Sequence, residues 1–156
     1  MTMRILRRDG SLCAELQADR RGKLHGAFLY EADLANAVLE GMGLSGAELG
    51  SANLEGASLR GADLYWADCA DANLASADLR LVDLRGANLT NAVLRDANLD
   101  GANLGLDELN GRTRLQGADL RGASIQGTSF AGASYDDRTR FPAGFDPGRH
   151  KMMRGE

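Results

Sequence analysis

The reactive side chains of this chain are few and scattered. Two cysteines and two histidines stand among 22 carboxylates in 156 residues. Cys13 and Cys69 are the available thiols, and His25 and His150 the available imidazoles. A thiol nucleophile needs a base within hydrogen-bond reach, and a structural zinc needs four soft ligands. His25 and His150 lie far apart in the chain, and two thiols do not complete a zinc set. Neither a nucleophile elbow nor a Walker sequence occurs. Gly41-Met42-Gly43-Leu44-Ser45-Gly46 spells a dinucleotide fingerprint. That motif works only between a strand and a helix, where the helix N-terminus meets the pyrophosphate. A repeat runs through it on both sides, so Gly41 and Gly46 read as turn residues. Asn88-Leu89-Thr90 is a glycosylation sequon, which matters only in a secreted protein. The reading is of no enzyme, no catalytic residue, no cofactor and no metal.

The element that positions these groups is a five-residue repeat. Leucines fall at Leu24, Leu29, Leu34 and every fifth position to Leu64. Cys69 takes one slot, and the series resumes from Leu74 to Leu109. After one extra residue it returns as Leu115, Leu120, Ile125, Phe130 and Tyr135. Alanine stands two before the centre, Asp, Asn or Ser one before it, and often Gly two after it. A helix rotates a five-residue step by roughly 140°, which scatters the leucines. A straight strand throws successive odd steps to opposite faces. A short strand plus a turn fits instead. Ala and the centre share an inward face, the polar residue points out, and the last two residues turn the corner. Stacked turns then pair at the strand spacing of about 4.8 Å, and each buries its apolar face only against its neighbours.

Ala-Asp-Leu-x-x and Ala-Asn-Leu-x-x, as at 62–66, 72–76, 77–81, 87–91 and 97–101, resemble the pentapeptide-repeat family over residues 22–137. The resemblance implies an all-β fold, a right-handed quadrilateral parallel β-helix with four pentads per coil. On that pattern the repeat makes nearly six coils, a rod of roughly 28 Å. The expected organisation is an N-terminal cap at 1–21, the β-helix at 22–137 with an irregularity near 107–114, and a C-terminal cap and frayed tail at 138–156. Residues 3–16 read as two strands around Asp9-Gly10, with a helix over 11–21 as the alternative. Phe141 and Phe145 read as a lid on the last coil. Asp107 occupies an inward slot and Arg112 is the extra residue, which predicts a bulge or short loop there.

Charge is the main functional clue. Residues 22–137 carry 17 Asp or Glu against 8 Lys or Arg, while both ends are basic. With four pentads per coil, Glu31, Glu48, Asp68, Asp71 and Glu108 share one face without a basic residue. Asp33, Glu55, Asp96, Asp136 and Asp137 share the next, with Arg95 and Arg114. Rows such as Glu48, Asp68, Asn88, Glu108 and Asp63, Asp83, Asn103 supply oxygen ligands suited to Ca²⁺, but they serve equally as solvated turn residues. An acidic rod does not bind nucleic acid directly. Tyr65 and Trp66 project outward, Trp66 at a corner usually given to Gly, with Leu106 on the same corner two coils away. Exposed aromatics of this kind anchor partners. The chain therefore reads as a rigid, non-enzymatic scaffold for another protein, with Glu31, Glu48, Asp68, Asp71, Glu108, Tyr65, Trp66 and Leu106 as candidate contacts. The family resemblance adds an alternative, mimicry of duplex DNA towards DNA gyrase. Duplex DNA carries about 16 charges over 28 Å, more than this rod. The Pro/Gly-containing tail argues against the C-terminal dimerising helix of some relatives, and the oligomeric state stays open. The charged N-terminus has no apolar segment behind it and no run spans a membrane, so a cytoplasmic location is expected.

Overall fold

The computed structural model describes residues 2–155. Its unit is the pentad, and the backbone shows how the pentad turns. In Ala62-Asp63-Leu64-Tyr65-Trp66, Ala62 and Leu64 are buried and Asp63 bridges to Gly43 on one side and Asp83 on the other. The turn closes when Ala67 N–H donates to the Leu64 carbonyl. The fifth residue has positive φ, whether it is glycine (Gly61, 66°) or not (Trp66, 55°; Leu81, 59°). That geometry explains the glycines at this position, since a Cβ there costs about 1–2 kcal/mol. The polar residue steadies the turn: Asp63 accepts from Tyr65 N–H, Asp68 from Ala70 N–H and Asp83 from Arg85 N–H.

Bridged partners lie 20 residues apart from Phe28↔Glu48 to Asp83↔Asn103, so four pentads complete a coil. All of these bridges are parallel. The interior is a column of centre leucines and alanines, nearly all without solvent exposure, with Cys69 in its leucine slot. Threonines in the alanine slots remain dry because they find acceptors: Thr113, Thr128 and Thr139 donate to the carbonyls of Leu84, Leu99 and Leu115 in the adjoining coil. No helix occurs among the described residues.

The spacing then changes. Asn88 pairs with Arg114, and partners stay 26 apart to Asn103↔Ser129 before returning to 20 at Arg114↔Ser134. Six residues, 107–112, are therefore looped out rather than the single residue expected. Leu109 is not a centre residue: its side chain is 80% exposed. Glu108 does not continue the row of Glu48 and Asp68. Arg114 takes that place. The neighbouring face changes too. Asp136 and Asp137 fall beyond Ser134 on the first face, and Asp119, Arg121 and Arg140 fall on the second.

At the start, β1 (Thr2–Leu6) and β2 (Leu12–Gln17) form an antiparallel hairpin; β2 occupies much of the span of the alternative helix. The hairpin lies along the open edge of the first coil. Val38 N–H donates to the Leu6 carbonyl, Arg8 N–H to the Asn36 carbonyl, and Ile5 is fully buried. At the far end, β3 (Ser134–Tyr135) pairs in parallel with β4 (Met153–Arg154). The tail at 149–155 is thus tied to the last coil instead of frayed, and Glu156 lies outside the described residues. Phe141 and Phe145 stack with centroids 4.6 Å apart; Phe145 stacks in turn on His150 and meets Phe130 edge-on.

Candidate interaction site

The inserted loop is organised by one carboxylate. Asp107 is buried, at 6% exposure, yet it does not enter the apolar column. Its Oδ1 accepts from Leu109 N–H at 2.8 Å and Gly111 N–H at 2.5 Å. Its Oδ2 accepts from the Tyr65 hydroxyl at 2.9 Å and the Trp66 indole Nε1–H at 2.6 Å. The backbone closes the loop as Asp107 N–H donates to the Gly111 carbonyl and Asn110 N–H to the Asp107 carbonyl. Desolvation pushes the Asp107 carboxyl up, but the donors from Trp66, Gly111, Tyr65 and Leu109 outweigh it and hold it below the ordinary carboxylate value. The same bond pushes the Tyr65 hydroxyl up. A carboxylate with both oxygens doubly occupied is an anchor, not a proton shuttle.

Trp66 needs space as well as a partner. Its ring lies across Gly86 and Gly111, where a Cβ would collide with the indole; at Gly86 the distance to Nε1 would be 2.7 Å. Tyr65 meets Trp66 edge-on at 6.4 Å, and the Arg85 guanidinium sits 5.6 Å from the Tyr65 ring centre. Arg85 also pairs with Asp83. Trp66 keeps half its surface exposed and Leu106, on the same corner column, 42%. The structure therefore joins Tyr65, Trp66 and Leu106 around the loop, and brings Glu108 beside Tyr65, Asp63, Asp83 and Arg85.

Glu31, Glu48, Asp68 and Asp71 form a separate group. All four are exposed, and among the described residues none is ion-paired. Asn88 and Asn91 donate to Asp68 and Asp71. Arg114 ends this acidic stretch; beyond it, Asp136 pairs with Arg138 and Asp137 with Arg154. Two residues absent from the sequence reading stand at its start. Phe28 is 73% and Tyr30 51% exposed, with ring centres 6.5 Å apart. The available signal was a phenylalanine in the slot usually held by a polar residue. The second face is nearly balanced: Asp119 pairs with both Arg95 and Arg121, and Asp33 with Arg7.

No metal-sized cluster of three or more His, Cys, Asp or Glu occurs among the described residues. Burial pushes the Cys69 thiol up to about 12 and raises that of Cys13, the opposite of what a thiolate nucleophile requires.

A family model described as pentapeptide repeats matches residues 43–68, 67–105 and 112–134, leaving out most of the inserted loop. The chain belongs to the pentapeptide-repeat family. It is 31% identical to a pentapeptide-repeat protein of the Arabidopsis thaliana thylakoid lumen, covering 72% of this chain and 68% of that one at a TM-score of 0.51. It is 33% identical to HetL, a Nostoc pentapeptide-repeat protein involved in heterocyst differentiation regulation, covering 73% and 57% at a TM-score of 0.43. It is also similar to QnrB1, a plasmid-mediated fluoroquinolone resistance protein, at 20% identity, 70% and 67% coverage and a TM-score of 0.37. At that distance quinolone resistance remains a property of QnrB1. No protein of curated function matches. As a member of the family, this pentapeptide-repeat chain presents side chains on a repeating backbone, and its departures from the repeat are where its own surface is defined.

Proposed function

We propose that this pentapeptide-repeat protein is a non-enzymatic, right-handed solenoid of nearly six coils that acts as a rigid scaffold for another protein. The observation that carries the reading is the unneutralised stretch of Glu31, Glu48, Asp68 and Asp71 beside exposed Phe28 and Tyr30. Elsewhere on the rod, carboxylates such as Asp78, Asp83, Asp119 and Asp136 are matched by arginines. Here they are not, and aromatic side chains stand in water next to them. Aromatics ringed by charge are the composition of an anchoring surface. The partner is basic where it meets this face, because complementary charge governs encounter and register.

Capture of a partner from the native host by the immobilised full chain tests this. Loss of that partner on Glu48→Lys with Asp68→Lys, or on Phe28→Ala, is the expected result. Equal capture by these variants would remove the face from the account.

The alternative, a duplex-DNA mimic that binds DNA gyrase, draws less support. Mimicry needs a long uninterrupted run of charge, about one per 1.7 Å, and Arg114 interrupts this one after Asn88. Purified protein that altered gyrase supercoiling, with the effect lost on Glu48→Lys and Asp68→Lys, would favour the mimic instead.

A further inference from the structure

The opposite side of the inserted loop has the reverse character. A groove of about 540 Å³ is lined by Leu106, Ala131 and Met153 with Arg112 and Lys151 at its sides. A second hollow, lined by Trp66, Gly86, Arg112, Arg114 and Ser134, shares Arg112 with it. No carboxylate among the described residues lines either one. This is unusual on a chain of net charge −4. Arg112, Arg114 and Lys151 are exposed and take part in no ion pair among the described residues, while Arg80, Arg85, Arg95, Arg121 and Arg138 all do. The loop creates this arrangement. Looping out 107–112 brings Arg114 into the row of Asn88 and places Arg112 between the hollows. Leu106 lies across Gly132, a contact that a Cβ at that glycine would obstruct, and gives the groove an apolar floor.

We infer that these two hollows, adjoining at Arg112, bind an acidic peptide segment of a partner protein, with an apolar side chain seated on Leu106 and Met153 and flanking carboxylates on Arg112, Arg114 and Lys151. Three cations without a carboxylate among them want an anionic occupant. The apolar floor favours a peptide over a phosphate backbone, and the surrounding acidic rod repels long nucleic acid. The inference rests on the scaffold reading but uses side chains other than the acidic ones, beyond Asn88 where Arg114 ends their row, so one partner or two can engage.

The test uses the full chain and a labelled synthetic heptapeptide, Glu-Glu-Glu-Leu-Phe-Glu-Glu. Trp66, the single tryptophan, borders the second hollow and reports binding through its own emission. Saturable binding is expected, several-fold weaker when sodium chloride rises from about 0.1 M to about 0.5 M. Arg112→Glu with Lys151→Glu should weaken it at least about tenfold, and the milder Arg112→Gln by less. Glu48→Lys with Asp68→Lys, which tests the acidic face, removes negative charge from the row that Arg114 ends and should not weaken binding. A heptapeptide with Lys for Glu, whose charge suits the acidic face instead, should not displace the acidic one. Absence of saturable binding, indifference to the groove variants, or equal binding of a short single-stranded oligonucleotide overturns the inference. Partner capture by the acidic face would survive each of those outcomes.

Discussion

Asp68 and Asp107 are the same residue in two regions of one rod. Asp68 sits on the regular wall, exposed, and accepts one local backbone N–H and one amide from Asn88. Asp107 sits at the root of the inserted loop, buried, and accepts four donors, two of them from aromatic side chains 41 and 42 residues away. On the wall, the backbone ladder sets the structure and the aspartate only trims a turn. In the loop no ladder exists, and the aspartate replaces it. A buried carboxylate is tolerated there because every donor it needs is supplied. The lesson is that outward residues of the wall are free to vary with function, whereas the loop and its aromatic neighbours stand or fall together.

Removing a coil centre should have the largest effect. Leu89, fully buried, should cost about 2–5 kcal/mol as Leu89→Ala, read from urea midpoints. A smaller loss would mean the column can collapse around a void. Next, Asp107→Ala should release the loop while the coils persist. Trp66 emission should shift to the red and protease should cut within 107–112, with a smaller change in the global midpoint than for Leu89→Ala. Retention of the native emission would show that the aromatic pair is held by packing alone.

Acid should act on the anchored carboxylates. Asp107 and Asp136 both have lowered folded values, the latter about 2: burial is outweighed by donors from Gly117, Arg138 and Thr139. A depressed carboxyl stabilises the fold fully above its unfolded value, about 3.9, and loses that contribution as pH falls through the folded value. Trp66 emission should therefore be flat from neutral pH to about 4 and change only below it. A transition near neutrality would contradict this assignment. Smallest of all, Asp68→Asn should change stability by no more than about 0.5 kcal/mol, because the amide oxygen can accept the same bonds.

Much of the wall was legible from residues because each coil repeats one physical demand: two small or aliphatic groups inward, one polar group on the ladder, and a corner at positive φ. The loop was only half legible. Asp107-Glu108-Leu109 keeps the spelling of a pentad, inward slot, polar residue and leucine, so counting by fives carries Glu108 onto the acidic row and Leu109 into the core. What overrides the count is the cost of an unpaired carboxylate in an apolar column. Asn110, at φ 61°, and Gly111 provide the turn that carries it out. The clue lay in the combination of a charged residue in an inward slot with an aromatic at a corner two coils earlier. Ion pairing was less accessible, since whether Asp119 meets Arg95 depends on the six-residue shift of register.

The link between Trp66 and Asp107 can be observed directly. A nitrogen-15 correlation spectrum contains one indole resonance, because the chain has one tryptophan. That resonance should lie downfield, exchange slowly with water and move strongly on Asp107→Ala while the leucine and alanine amides of the wall remain in place. An indole proton that exchanges at the rate of free tryptophan, or that ignores the substitution, would contradict the claim that one carboxylate builds this site.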